Sequence, residues 1–158
     1  MSSRHRSIVD VHLVLRRWGR VLMLRRANTS YADGLLCFPS GHLERGESVV
    51  EGVIREAREE IGITVDADAL KFVHVIHRGD AAGLDRVGFF FEAESWAGEP
   101  VNAEPHKCSE LVWVDPADHR ADVVPYQAAG LTGSLGPAPF SLHGWTTDTH
   151  GTGIDAEP

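Results

Sequence analysis

The stretch Gly41-His42-Leu43-Glu44-Arg45-Gly46-Glu47-Ser48-Val49-Val50-Glu51-Gly52-Val53-Ile54-Arg55-Glu56-Ala57-Arg58-Glu59-Glu60-Ile61-Gly62-Ile63 reads as a loop running into a capped helix. Ser48 and Glu51 stand in capping-box spacing, so each can satisfy an orphan amide of a first turn, and a helix is expected to start near residue 49. Gly62 can take the left-handed conformation that ends it, and Thr64-Val65 beyond are poor helix formers. The helix is therefore about three to four turns long. At roughly 100° per residue, Val49, Val50, Val53, Ile54, Ala57 and Ile61 fall on one arc, which has to face a core.

Glu56, Glu59 and Glu60 line the neighbouring stripe. Like charges three or four positions apart on a helix repel by about a few tenths of a kcal/mol. A cation held among them would offset that cost, and a cluster of hard oxygen ligands suits Mg²⁺ or Mn²⁺. A glycine inside a helix costs about 1 kcal/mol relative to alanine. Gly52 lies one turn before Glu56 on the same stripe, so its missing side chain is expected to leave room for metal and substrate phosphate. A charge run by itself more often marks a solvated face; the spacing around this one is what sets it apart.

That spacing, Gly-x5-Glu-x7-Arg-Glu-U-x-Glu-Glu-x-Gly-U with U apolar, is met at Gly41, Glu47, Arg55, Glu56, Ala57, Glu59, Glu60, Gly62 and Ile63. It resembles the signature box of the Nudix hydrolase family, complete from end to end. The resemblance implies Mg²⁺-dependent attack of water on a diphosphate linked to some moiety X. It makes Glu56, Glu59 and Glu60 metal ligands, with the Gly41 carbonyl as a further one and Glu56 and Glu59 also candidate bases. Glu47 and Arg55 fall where relatives hold the loop and orient the carboxylates.

Working outward toward the N-terminus, Leu35-Leu36-Cys37-Phe38-Pro39-Ser40 is similar to the Gly-x-Trp-x-x-Pro-Gly-Gly approach of the family, with Leu36 replacing Trp and Ser40 replacing the first Gly. Ser40 thus brings a hydroxyl toward the substrate. Residues 8 to 15 and 20 to 25 are rich in β-branched and aliphatic residues and flank Trp18-Gly19, so two strands joined by a short turn are expected. Arg25, with Arg26 beside it, could reach a phosphate from the end of the second strand; charges flanking a strand end are the plain alternative.

Toward the C-terminus, a short turn over residues 66 to 69 leads to strands over 70 to 77 and 87 to 93, separated by a loop. His74 and His77 read as packed or solvated strand residues rather than site residues. The segment Asn102-x-Glu104-Pro105-x-Lys107-Cys108, with Glu110-x-x-Trp113, looks like a pattern of Nudix enzymes that hydrolyse nucleoside triphosphates, including those that sanitise oxidised purine nucleotides. In that resemblance Glu104 joins the metal site or serves as base, and Lys107 neutralises phosphate; for both, a surface charge is the plain alternative. A short helix is expected over 124 to 131. From Thr132 onward Gly, Pro, Ser and Thr dominate, which predicts an irregular or disordered tail over 132–158, with Phe140 and Trp145 docking on the body.

Strands flanking one strongly amphipathic helix, with a later second helix, indicate an α/β sandwich with a mixed sheet. This agrees with the α/β/α sandwich that the Nudix resemblance implies, as a single domain over residues 1–131. At 158 residues and 42% hydrophobic the chain is long enough for a real core. A net charge of −8 argues against a general nucleic-acid or anionic-membrane surface. A negative protein and a negative polyphosphate need divalent cations between them.

Cys37 and Cys108 are too few for a disulfide framework, and no zinc spacing occurs, so a reduced cytoplasmic setting is expected. There is no apolar run of transmembrane length and no signal-peptide core after Met1. The expected partner is a small nucleotide; dimers are common in the family, though no stretch here compels a homodimer. The expected substrate is a nucleoside triphosphate, split to monophosphate and pyrophosphate. The alternatives are an ADP-sugar or other nucleoside diphosphate-X, and a non-catalytic nucleotide sensor, a class that typically loses the carboxylates this chain retains.

Overall fold

The computed structural model describes residues 4–80 and 82–145. Strand β1 (Ile8–Arg17) reverses into β2 (Arg20–Arg26) through Trp18 and Gly19, whose φ values of 51° and 73° give the left-handed turn that suits twisted strands. Two short strands follow, β3 (Leu36–Cys37) against β2 and β4 (Ser40–His42) against β1. Helix α1 (Val49–Ile61) comes next, then a 3₁₀ turn at Ala67–Ala69, β5 (Leu70–Arg78), β6 (Arg86–Ala93), β7 (Cys108–Val114), α2 (Pro125–Leu135) and β8 (Phe140–His143). The sheet is mixed: β1 runs parallel to β6, β6 antiparallel to β5, and β5 parallel to β8. Strand β2 carries β3 on one side and β7 on the other, and joins the rest at the hairpin.

Side chains alternate across β1, so its two faces build two cores. Val11, Leu13 and Leu15 pack with Val53, Ala57 and Ile61 of α1. Val14 packs the other way, with Phe90 and with Tyr126 and Leu131 of α2. Each such fully buried aliphatic contributes roughly 1.5–3 kcal/mol. The result is the three-layer α/β/α arrangement expected, and it leaves Asp10 and His12 on the α2 face of an otherwise aliphatic strand.

The predicted irregular tail is corrected for residues 132–145. Helix α2 continues to Leu135, and Phe140–His143 adds a strand to the sheet edge. The reason is non-local. The buried His74 ring meets the Ala138 carbonyl at 2.9 Å and the Ser141 hydroxyl at 2.8 Å, and the Trp145 indole donates to the His77 carbonyl at 2.9 Å. His74 and His77 are therefore packing residues that fasten this segment, and Trp145 does dock. Residues 146–158 of the expected tail lie outside the described residues.

Candidate active site

The helix ends are built locally, as the sequence predicts. The Glu51 amide donates to the Ser48 hydroxyl at 3.2 Å, the Ser48 amide donates to the Glu51 carboxylate at 2.7 Å, and Gly62 closes the helix with φ 68°. On the predicted apolar arc Val53, Ala57 and Ile61 are buried, while Val49, Val50 and Ile54 are half-buried. This sets the neighbouring stripe against β4.

Arg55 organises that stripe. Its Nε and Nη2 grip the two oxygens of Glu47 at 2.8 and 3.1 Å, a fork that fits a carboxylate and holds the loop. Nη2 also donates to the His42 carbonyl at 3.1 Å, and Nη1 to Glu56 at 2.6 Å and Glu59 at 3.2 Å. One guanidinium thus ties the box loop, the end of β4 and two helix carboxylates. The Arg55 bond keeps the Glu47 carboxyl below its ordinary range. Burial pushes Glu56 above its ordinary range in spite of Arg55.

Glu60 lies one turn further on and accepts the Ser40 amide at 2.8 Å. Burial pushes its pKa up to about 8, with the charges of Glu56 and Glu104 adding to the shift. Gly41 is the point of closest approach, since a Cβ there would collide with the Glu56 carboxylate. Glu104 pairs with Lys107 at 3.0 Å, and both line a cavity of about 240 Å³ together with Glu60, Arg26, Cys37 and Cys108.

Among the described residues no three His, Cys, Asp or Glu side chains form a ready metal cage. The donors nevertheless fit a hard divalent ion. All are oxygens; the charge of Glu104 raises the pKa of both Glu56 and Glu60, and that of Glu56 raises Glu60, a repulsion that a cation among them would relieve. Glu56, Glu59, Glu60, Glu104 and the Gly41 carbonyl are the groups that could hold it.

A family model described as the NUDIX domain matches residues 4–131. The chain belongs to the Nudix family. It is 36% identical over 107 residues to an uncharacterized Nudix hydrolase of Bacillus subtilis, YvcI, a match covering 66% of this chain and 64% of that protein's own length. It is 29% identical over 114 residues to the 8-oxo-dGTP diphosphatase of Escherichia coli, covering 70% of this chain and 84% of that one. The solved structure of a MutT Nudix hydrolase from Burkholderia pseudomallei superposes with a TM-score of 0.73 at 25% identity, over 82% of this chain and 98% of the other.

Two expectations are corrected within this Nudix domain. Arg25 is not free for phosphate: it is spent on Glu110, directly opposite on β7, on Asp122 at 3.3 Å and on the Gly34 carbonyl at 2.9 Å. Its neighbour Arg26 points the other way and lines the cavity with Glu60 and Glu104. Gly52 does not make room for metal, because a Cβ there would meet Leu43 at 3.1 Å, Glu47 at 3.2 Å and Val11 at 3.3 Å. Its role is close packing of helix on loop. Gly52→Leu is accordingly expected to destabilise the fold by about 1–3 kcal/mol, as overpacking does, readable as a lowered urea midpoint; unchanged stability with lost turnover would restore the metal-space account.

A second cavity, of about 420 Å³, lies on the α2 side of β4 and was not anticipated from the motifs. Ser40 and Gly41 form part of its wall, so it opens beside the acidic stripe; Asp10, His12, Arg86 and Tyr126 form its polar depth. The available signal was two polar residues spaced i, i+2 in the strand Ile8-Val9-Asp10-Val11-His12-Leu13-Val14, which places both on one face.

Proposed function

We propose that this Nudix domain hydrolyses the diphosphate linkage of a nucleoside diphosphate derivative with Mg²⁺, for which Mn²⁺ can substitute. The observation that carries the reading is the Arg55 hub, which gathers Glu47, Glu56 and Glu59 and, through the His42 carbonyl and the close approach of Gly41 to Glu56, sets them against the strand that walls the larger cavity. Water attacks one phosphorus and the bridging P–O bond breaks. The water oxygen stays on that phosphate, its proton passes to a glutamate, and the bridging oxygen leaves with the other phosphate. When bound, the divalent ion draws charge from the diphosphate and makes the attacking water more acidic.

The chain's own groups do the remainder. Arg55 fixes Glu56 in place, and burial raises Glu56 above its ordinary range, which makes it a better proton acceptor; Glu59 and Glu104 are the other candidates. Lys107 and Arg26, which line the smaller cavity with Glu60 and Glu104, are the cations we assign to balancing charge on the departing phosphate. A nucleoside triphosphate, giving monophosphate and pyrophosphate, is supported by the segment around Glu104 and by the Escherichia coli relative. A nucleoside diphosphate-X is favoured by the polar cavity behind Ser40. Both cysteines are free and buried, in keeping with a cytoplasmic setting, and no helix among the described residues is long and apolar enough to cross a membrane.

The test is product analysis on a panel of nucleoside triphosphates and nucleoside diphosphate-sugars, with Mg²⁺ and with excess EDTA. Cleavage at the anhydride that EDTA abolishes is the expected result. Tight nucleotide binding without cleavage of any panel member would overturn the reading in favour of a sensor.

A further inference from the structure

Buried polar side chains are almost always paired, because an unpaired one carries the full cost of its lost hydration. Among the described residues, six buried side-chain polar atoms lack a hydrogen-bond partner, and four of them surround the cavity behind Ser40: Asp10 Oδ1, both ring nitrogens of His12, and the Tyr126 hydroxyl. Asp10 and His12 are only 4% and 2% exposed. The other Asp10 oxygen accepts from Arg86 at 2.9 Å, which fixes the carboxylate, while Oδ1 faces the exposed His42 Nε2 at 3.4 Å without a hydrogen bond between them. The His12 ring lies flat on Phe90 at 4.3 Å with Tyr126 edge-on at 5.5 Å, which fixes the ring while neither nitrogen gains a partner. Gly88 makes the room for Tyr126, since a Cβ there would collide with the hydroxyl.

These atoms define what they need. Asp10 Oδ1 wants a donor, a neutral His12 wants one donor and one acceptor, and the Tyr126 hydroxyl serves as either. Ligand cavities are mostly apolar with a few polar groups, and a planar base is normally held by stacking. Here Val124 is the one aliphatic side chain in the wall. The rings of Tyr31 and Tyr126 already carry the Arg26 and Arg78 guanidiniums, at 5.8 and 5.6 Å. Adjacent hydroxyl groups, each donor and acceptor at once, match such a set, and a wall with so little apolar surface offers a flat base little to stack on.

Building on the reaction proposed above, we propose that Asp10, His12 and Tyr126 are the specificity determinants of this domain, and that they read the hydroxyls of a sugar carried on the diphosphate. The substrate class is then a nucleoside diphosphate-sugar, with the sugar seated behind Ser40 and the phosphates meeting the acidic stripe. A site built to hydrogen-bond a hydroxyl rejects the compound lacking it far more strongly than an apolar pocket would.

The experiment compares ADP-glucose with ATP, which share base and ribose, on the full chain with Mg²⁺. The wild type is expected to show at least about a tenfold higher kcat/KM for ADP-glucose. Tyr126→Phe and His12→Phe are expected to shrink that ratio about tenfold or more, chiefly through the KM for ADP-glucose. Tyr126→Phe removes a hydroxyl with no partner in the protein, so its thermal midpoint reports that the fold is intact. A wild type that cleaves ATP as well as ADP-glucose, or variants that leave the ratio unchanged, would overturn the assignment. If neither compound is cleaved, the proposed reaction fails instead. Calorimetric titration then still decides the assignment: ADP-glucose must bind tighter than ADP to the wild type and not to Tyr126→Phe.

Discussion

Glu56→Gln is expected to lower kcat by on the order of 10³-fold, the range typical of losing a general base, while the protein stays folded. Glu56 sits in the grip of Arg55, beside Gly41 and within the mutually repelling set that includes Glu60 and Glu104. As proton acceptor or as metal ligand, it needs its charge. The fold does not, because burial already works against the ionised form, and Arg55 keeps both bonds to Glu47 and its bond to the His42 carbonyl. Steady-state turnover and a denaturant melt of the same preparation check both halves. Full activity in the variant would remove Glu56 from the site.

Gly41→Ala has the second largest expected effect, from a single methyl group. The added carbon would occupy the place of the Glu56 carboxylate, and β4 cannot yield easily because Val11 and His12 of β1 pair with Gly41 and Ser40 across it. Displacing a catalytic group by about 1 Å can cost 10²-fold in rate, and overpacking costs about 1–3 kcal/mol. Both losses are expected. Combining Gly41→Ala with Glu56→Ala should recover the stability and not the activity, a coupling that a double-mutant cycle reads directly. Additive stability losses would show that the two residues do not meet.

The parts of the molecule legible in the sequence are those whose causes are local. Ser48, Glu51 and Gly62 encode the ends of α1 by themselves, and the structure shows all three at work. The aliphatic runs likewise announce β1 and β2. Arg25 and Arg26 were harder, because adjacent strand residues point to opposite faces. Which one meets the cavity depends on Glu110 arriving opposite Arg25 from 85 residues away. Gly52 carried the right anomaly with the wrong partner, since Leu43 and Val11 come to it only when loop and sheet have closed. Strand β8 is hidden by composition, and only the sheet edge and the buried His74 ring reveal why so short a stretch is held. The cavity behind Ser40 is the clearest case: its walls come from β1, β2, β4, β5, β6, α2 and two loops, and no single window of sequence contains it.

The central claim, that the carboxylates around Arg55 take up a divalent cation to meet a diphosphate, is tested most directly by titrating the protein with Mn²⁺ and following free ion by electron paramagnetic resonance. The account predicts saturable Mn²⁺ binding that Glu56→Gln and Glu60→Gln each weaken by roughly tenfold or more, and that added Mg²⁺ displaces. Binding of equal strength in both variants, or none in the wild type with nucleotide present, would contradict it.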